Sequence, residues 1–185
     1  RGPLFGRLYI GAAILPPVDF EHSLMRDSKK LSQRKRLIAF DYIKENAIDF
    51  AVHYVTAEEI DLHNILQSTL NGMHKALDKL MVTPEHILVD GDKFYPYAKD
   101  EKLINHTCIC GGDDKYTAIA AASILAKVEH DKYIKDMCDM DSELDEKYGL
   151  LSNKGYGTKK HIDGIKEHGI TKWHRKSFGI CKEYK

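Results

Sequence analysis

The sequence predicts an α/β domain, and three observations lead there. Short apolar runs rich in β-branched residues recur along the chain, longer stretches with apolar residues at helical spacing separate them, and Gly, Pro and Asn fall at the junctions. Helices between short strands imply a mixed sheet with helices on both faces. The 185 residues suit one domain with at most a small appendage. A chain of that length buries about two-thirds of the surface it exposes when unfolded, so no disulfide is needed to hold it.

The elements follow in order. LYIGAAIL (8–15) is a strand stopped by Pro16 and Pro17. Ser32 is placed to cap a helix over 33–47, with Leu37, Ile38 and Tyr42 on one side. AIDFAVHYVT (47–56) alternates as a strand. Residues 57–81 put Ile60, Ile65, Leu66, Leu70, Met73, Leu77 and Leu80 near helical spacing, with a break or kink near Asn64. HILVD (86–90) is short and almost wholly apolar, the pattern of a strand buried on both faces. NHTCIC (105–110) is another strand, then GGDDKYT leads into a long helix over 118–138. A helix over 158–168 and an irregular cationic end complete the chain, without repeats or low-complexity segments.

The net charge is zero, which hides an asymmetry. DMCDMDSELDE (136–146) holds six acids and no base, whereas residues 148–185 hold nine Lys/Arg against three acids. A second basic knot contains Lys29, Lys30, Arg34, Lys35 and Arg36. Each cluster alone reads as a solvated helix face, although the basic tail is also suited to phosphate. Cys108, Cys110, Cys138 and Cys181 include no C-x-x-C pair, so reduced thiols are expected rather than zinc or a disulfide framework. No apolar run reaches the ~18 residues of a membrane span. A soluble, cytoplasmic protein is expected.

Chemistry is expected where strands end. Asp90 closes HILVD and is followed by Gly91, so a carboxylate stands at a rigid strand end, as a metal ligand or as the start of a turn. Asp113 and Asp114 follow Gly111-Gly112 and precede the long helix, where an acid also serves as an ordinary N-cap. That helix opens on AIAAASILAKV, whose small side chains let another backbone approach closely, through tight helix–sheet packing or through a ligand-facing surface. Ser123 and Lys127 lie four apart on one face of it, directed at a phosphate or at solvent.

RGPLFG, DSKKLSQRKR, IDLHNILQSTLNGMHKAL, ILVDGD, GGDDKYTAIAAASILAKVEHD, KGYGTKKH and HRKSF occur in the order found in the type 2 ribonucleases H, the ribonuclease HII family. The chain resembles that family over nearly its whole length. The resemblance implies a ribonuclease H-like fold with a central mixed sheet, helices on both faces and a small helical C-terminal extension. It divides the chain into a catalytic domain over 1–145 and a basic extension over 146–185. The implied activity is endonucleolytic hydrolysis 5′ to ribonucleotides in RNA–DNA hybrids and in duplex DNA with embedded ribonucleotides, leaving a 3′-hydroxyl and a 5′-phosphate.

On the same resemblance Asp90 is the acid of the LVDG motif, and Asp113 rather than Asp114 is the acid ten residues before the serine of AAAS. These carboxylates are implied ligands of two Mg²⁺ or Mn²⁺ ions, hard cations that prefer oxygen and hold attacking and leaving oxygens in line. Closely set carboxylates repel without metal, so a divalent requirement and a neutral to alkaline optimum are expected. Arg1 and Gly2 match the second and third positions of a Gly-Arg-Gly turn whose backbone senses the 2′-hydroxyl, the group that separates RNA from DNA. Tyr156 matches the tyrosine that packs on the adjoining sugar. Lys29, Lys30 and Lys154 are the expected phosphate contacts, with Ser123 also on the substrate side. His161 and His174 fall inside matching motifs, where a structural or capping role is favoured.

Two departures bear on this. Arg26 stands where the family has Asn before DSKK, and the basic tail is short. The family's Asp-Glu-Ala-Gly precedes the Arg-Gly of its turn, so two further carboxylates are expected in residues before Arg1. A chain truly lacking them would instead be a folded, catalytically dead hybrid-binding module. A monomer is the expected state.

Overall fold

Alternation along the chain resolves into five strands and seven α-helices among the residues described by the computed structural model, 1–25 and 31–184. Strands β1 (Leu8–Ile14) and β2 (Asp49–Val55) pair with each other. Strands β3 (His86–Asp90), β4 (Tyr97–Lys99) and β5 (Lys102–Ile109) form a second sheet in the order β3-β5-β4. β3 runs parallel to β5 and β4 antiparallel to it, so this sheet is mixed. The α/β class is as the sequence implies. Among the described residues the strands hydrogen-bond as two groups.

Three sequence expectations are corrected. β3 is not buried on both faces: Ile87 and Val89 point inward while His86, Leu88 and Asp90 are exposed. The alternation shows that one face of β3 is covered and the other is open. Second, the strand expected at 105–110 begins at Lys102, because it pairs with β4 through a two-residue turn at Asp100 and Glu101. Both turn residues have positive φ, 51° and 61°, which matches the right-handed twist of a hairpin but carries none of the usual Gly or Asn signal.

The third correction concerns helix α1 (Gln33–Asn46), which Ser32 caps by accepting from the Lys35 amide. Its buried side is Ala39 and Ile43, whereas Leu37 and Ile38 are 45% and 51% exposed. Leu37 lies about 200° and Ile38 about 100° round the helix from Ala39. A stripe through Ala39 and Ile43 therefore excludes them, and Tyr42 lies at its edge, accepting from the Glu21 amide at 2.8 Å.

The expected break near Asn64 divides α2 (Ala57–His63) from α3 (Ile65–Asp78). Asn64 has φ 64°, and its side-chain oxygen accepts from the Gln67 amide at 3.0 Å, so it ends one helix and caps the next. Thr56 and Glu59 form a reciprocal capping box at the start of α2. α3 ends at Asp78, short of residue 81, because the buried Asp49 carboxylate takes the amides of Met81 (2.6 Å) and Val82 (2.8 Å). The long helix α4 is Thr117–Met140. Helices α5 (Glu143–Tyr148), α6 (Leu150–Asn153) and α7 (Lys159–His168) follow, the last capped by Thr158.

The chain gathers into two compact units. Unit 1 comprises Arg1–Leu8, Tyr54–Thr69 and Glu129–Lys185, and unit 2 comprises Tyr9–His53 and Leu70–Val128. Residues 146–185 thus share unit 1 with three earlier pieces of the chain. Unit 1 is built on Phe5, Ile134, Leu144, Leu150, Ile165 and the thiols of Cys138 and Cys181. Unit 2 has two apolar clusters, one joining Phe20, Met25 and Ile43 to Ala121 and Leu125, the other joining Leu77 and Leu80 to Ile87, Val89 and Ile104. No described helix is long and apolar enough to cross a membrane.

Candidate active site

Within unit 2, the end of β3 makes an acid corner. The chain turns at Gly91, whose φ of 117° suits glycine and whose amide donates to the Ile109 carbonyl at 3.0 Å. That bond ties the exit of β3 to the exit of β5. Gly111, in the left-handed region, then opens a single 3-10 turn over Gly112–Asp114. The Asp90 carboxylate accepts from the Gly112 amide at 2.9 Å, so it stands beside the residue that immediately precedes Asp113. A Cβ on Gly112 would lie 2.5 Å from the Ile119 side chain, which is why this turn packs so closely on α4.

Asp90 is exposed and Asp113 is 4% exposed, while Asp114 faces solvent. α4 begins at Thr117, so its N-cap position is Tyr116 and neither of the later acids occupies it. Among the described residues no group of three or more His, Cys, Asp or Glu forms a metal cluster. Asp90 and Asp113 both offer the oxygen donors a hard divalent cation prefers, and Mg²⁺ is commonly held by only one or two carboxylates with water and substrate phosphate.

The alanine run of α4 serves packing. Ala120 and Ala121 are buried, and a Cβ on Gly11 of β1 would fall 2.1 Å from the Ala122 carbonyl oxygen. Strand and helix backbones therefore touch where both lack bulk. Ser123 is half-buried next to this contact.

Within unit 1, a glycine–tyrosine corner forms from Arg1, Gly2 and the 153–157 loop. Asn153 is buried and donates to the Tyr148 carbonyl at 2.7 Å while accepting from the Gly155 amide at 2.8 Å. Lys154, half-buried, and Gly155 both have positive φ, and a Cβ at Gly155 would sit 2.9 Å from the Phe5 carbonyl oxygen. The Leu4 amide donates to the Gly155 carbonyl at 2.7 Å. The loop presents a Tyr156 ring that is 46% exposed, and a Cβ on Gly2 would meet its Cε1 at 3.3 Å. Arg1 and Gly2 are exposed. Lys29, Lys30 and Arg26 lie outside the described residues.

His161 and His174 are structural, as favoured from sequence. Both are buried, with Nε2 atoms 3.1 Å apart, and burial holds each below the ordinary imidazole value, His174 down to about 3. Arg175 was not legible as a key residue. It is fully buried and donates to the carbonyls of Arg1 (2.8 Å), Gly6 (3.0 Å) and Arg7 (3.1 Å). Burial lowers it to about 10, which leaves it charged at neutral pH. Its partners are distant main-chain atoms, for which a sequence carries no pattern. The Asp61 carboxylate steadies the residues that follow Arg175 by accepting from the Lys176 and Ser177 amides, each at 2.8 Å.

Known proteins align with this chain from end to end. The family model for ribonuclease HII matches residues 1–181. A ribonuclease HII of Parabacteroides distasonis is 45% identical over 184 residues, covering 99% of this chain and 87% of its own. The crystal structure of ribonuclease H2 from Pyrococcus horikoshii OT3 aligns with a TM-score of 0.79 at 25% identity, over 100% of this chain and 92% of that one. Bst-RNase HIII in complex with Mn²⁺ has the same fold at a TM-score of 0.55 and 21% identity, with 91% and 59% covered.

Proposed function

The chain belongs to the ribonuclease HII family, the type 2 ribonucleases H, and from that premise we propose that it cleaves the phosphodiester 5′ to ribonucleotides, in RNA–DNA hybrids and in duplex DNA with embedded ribonucleotides. The products are a 3′-hydroxyl and a 5′-phosphate. The observation that carries this reading is the acid corner: a strand-end carboxylate, Asp90, anchored on the amide next to the buried Asp113. Oxygen ligands so fixed cost little reorganisation when charge develops on a phosphate.

Asp90 and Asp113 would hold Mg²⁺ or Mn²⁺, the latter bound by Bst-RNase HIII, as part of a two-ion set that neutralises phosphate charge and lowers the pKa of water. The rest belongs to the protein's own groups. The exposed face of Tyr156 packs on a sugar, and the Gly2 backbone, with no side chain to hold it off, approaches the 2′-hydroxyl. Arg1, Lys29, Lys30, Lys154 and Ser123 contact the nucleic-acid backbone, which sets register without reading sequence. We take the working state to be a cytoplasmic monomer.

The test is nicking of a DNA duplex with one embedded ribonucleotide by the protein expressed from its natural reading frame, with Mg²⁺ or Mn²⁺ supplied. Asp90→Asn keeps an oxygen for the Gly112 amide but removes the charge, and is expected to lower the single-turnover rate by about 10³-fold. A fully active Asp90→Asn protein, or a wild type that leaves the strand intact, overturns the reading.

A further inference from the structure

His174 and Arg175 are consecutive, buried to 1% and 0% exposure, and each reaches a different half of the glycine–tyrosine corner. Their segment lies against residues 4–6 as a short antiparallel strap. Phe5 bridges His174, the Gly6 amide donates to the Trp173 carbonyl at 2.8 Å, and the Arg175 amide donates to the Leu4 carbonyl at 2.8 Å. The strap fixes where both side chains start.

Arg175 works on the N-terminal half. Its Nε, Nη1 and Nη2 donate to the carbonyls of Gly6, Arg1 and Arg7, so one planar fork gathers three points of the segment that carries Gly2. A lysine offers a point charge without that fork.

His174 works on the other half through His161. Its Nδ1 faces both the amide and the hydroxyl of Thr171 at 2.9 Å, so this nitrogen accepts. The proton is then on Nε2, which donates to Nε2 of His161 at 3.1 Å. That leaves the His161 proton on Nδ1, which donates to the Tyr156 carbonyl at 2.9 Å. An amide at one end and a carbonyl at the other thus assign every proton in the relay. An extra proton on either ring would set two N–H groups against each other. Burial, which pushes both imidazoles down, keeps the rings neutral.

We propose that His174 and Arg175 act as a paired positioning device, His174 through His161 on Tyr156 and Arg175 on the Arg1–Arg7 segment, which together set the spacing of the Gly2 backbone and the Tyr156 ring and hence the discrimination of ribose from deoxyribose. This rests on the ribonuclease reading above. Neither residue touches substrate.

Two amides that differ by one methylene test it. In His161→Asn the amide nitrogen falls near the Nδ1 position and still donates to the Tyr156 carbonyl; in His161→Gln it reaches the Nε2 position and that bond is lost. Binding is measured for the full-length protein without divalent ion, on a duplex with one ribonucleotide and on the all-DNA duplex of the same sequence. The affinity ratio is expected to stay within about twofold of wild type for Asn and to fall about tenfold for Gln, the loss of one part-buried hydrogen bond. Arg175→Lys is expected to lower the same ratio with all-DNA affinity unchanged. In a Tyr156→Ala background, Gln should lower it no further. Equal ratios for Asn and Gln, or a wild-type ratio in Arg175→Lys, overturn the proposal. A wild type with neither a ribonucleotide preference nor nicking activity overturns the ribonuclease reading instead, so the two failures are distinct.

Discussion

The acid corner and the glycine–tyrosine corner are held in opposite ways. At the first, Asp90 sits at the end of a strand, Asp113 lies in a single 3-10 turn, and one amide, that of Gly112, links the two. At the second, the presented groups are a backbone and a ring, and behind them lies a buried set of neutral imidazoles and one guanidinium. The first corner concentrates charge on a short stretch of local structure. The second depends on contacts between residues far apart in sequence. Damage to the first should therefore remove chemistry and spare the fold, and damage to the second should cost stability and selectivity.

The largest effect expected is on rate. Asp113→Asn should slow cleavage by about 10²–10³-fold with little change in melting temperature, whereas Asp114→Asn should stay near wild type, since that side chain faces solvent. Equal losses for the two in single-turnover assays would mean the corner uses both acids. At the second corner, Arg175→Ala leaves three carbonyls without their donor, that of Gly6 in a buried bond and the other two in part-buried ones, and should cost about 3 kcal/mol in urea unfolding.

Acid should weaken the second corner as well. His161 and His174 both titrate lower in the folded chain than their ordinary 6.5, His174 at about 3. Below pH 6.5 the unfolded chain takes up protons that the folded chain refuses. The stability present above that pH should drain away toward pH 3 at about 1.4 kcal/mol per pH unit for each such proton. A chemical-denaturation series across that range, run beside His161→Asn, isolates the share of this pair. The smallest change should come from Gly11→Ala, whose Cβ would press on the Ala122 carbonyl and force β1 from α4 at about 1–3 kcal/mol.

What could be read in the sequence divides along the same line. Ser32, Asn64 and the Gly-rich approach to α4 are local signals whose physics acts within a few residues, and the structure uses each as expected. Asp90 at a strand end was legible for the same reason. The buried side of α1 was not, because Ala39 carries less hydrophobic weight than Leu37 or Ile38, yet its small size lets the helix approach. The β4–β5 hairpin escaped because Asp100 and Glu101 adopt positive φ without a Gly or Asn to announce it. The acidic run 136–146 carries Lys135–Asp139 and Lys147–Glu143 pairs along its exposed side, while Met137, Cys138 and Leu144 are buried within it. Arg175 was invisible because its partners are main-chain oxygens, which every sequence has everywhere.

The Arg175 bonds to Gly6 and Arg7 close loops of 169 and 168 residues. All residues of unit 2 have been synthesised once Val128 is added, but unit 1 needs both the opening segment and the strap near the other end. During synthesis residues 1–8 must wait for Arg175 before they meet this partner. Loop closure on that scale is slow and comes late. Ribose sensing on this account is acquired last, so a chain arrested before the strap would carry the acid corner without the means to choose where it acts.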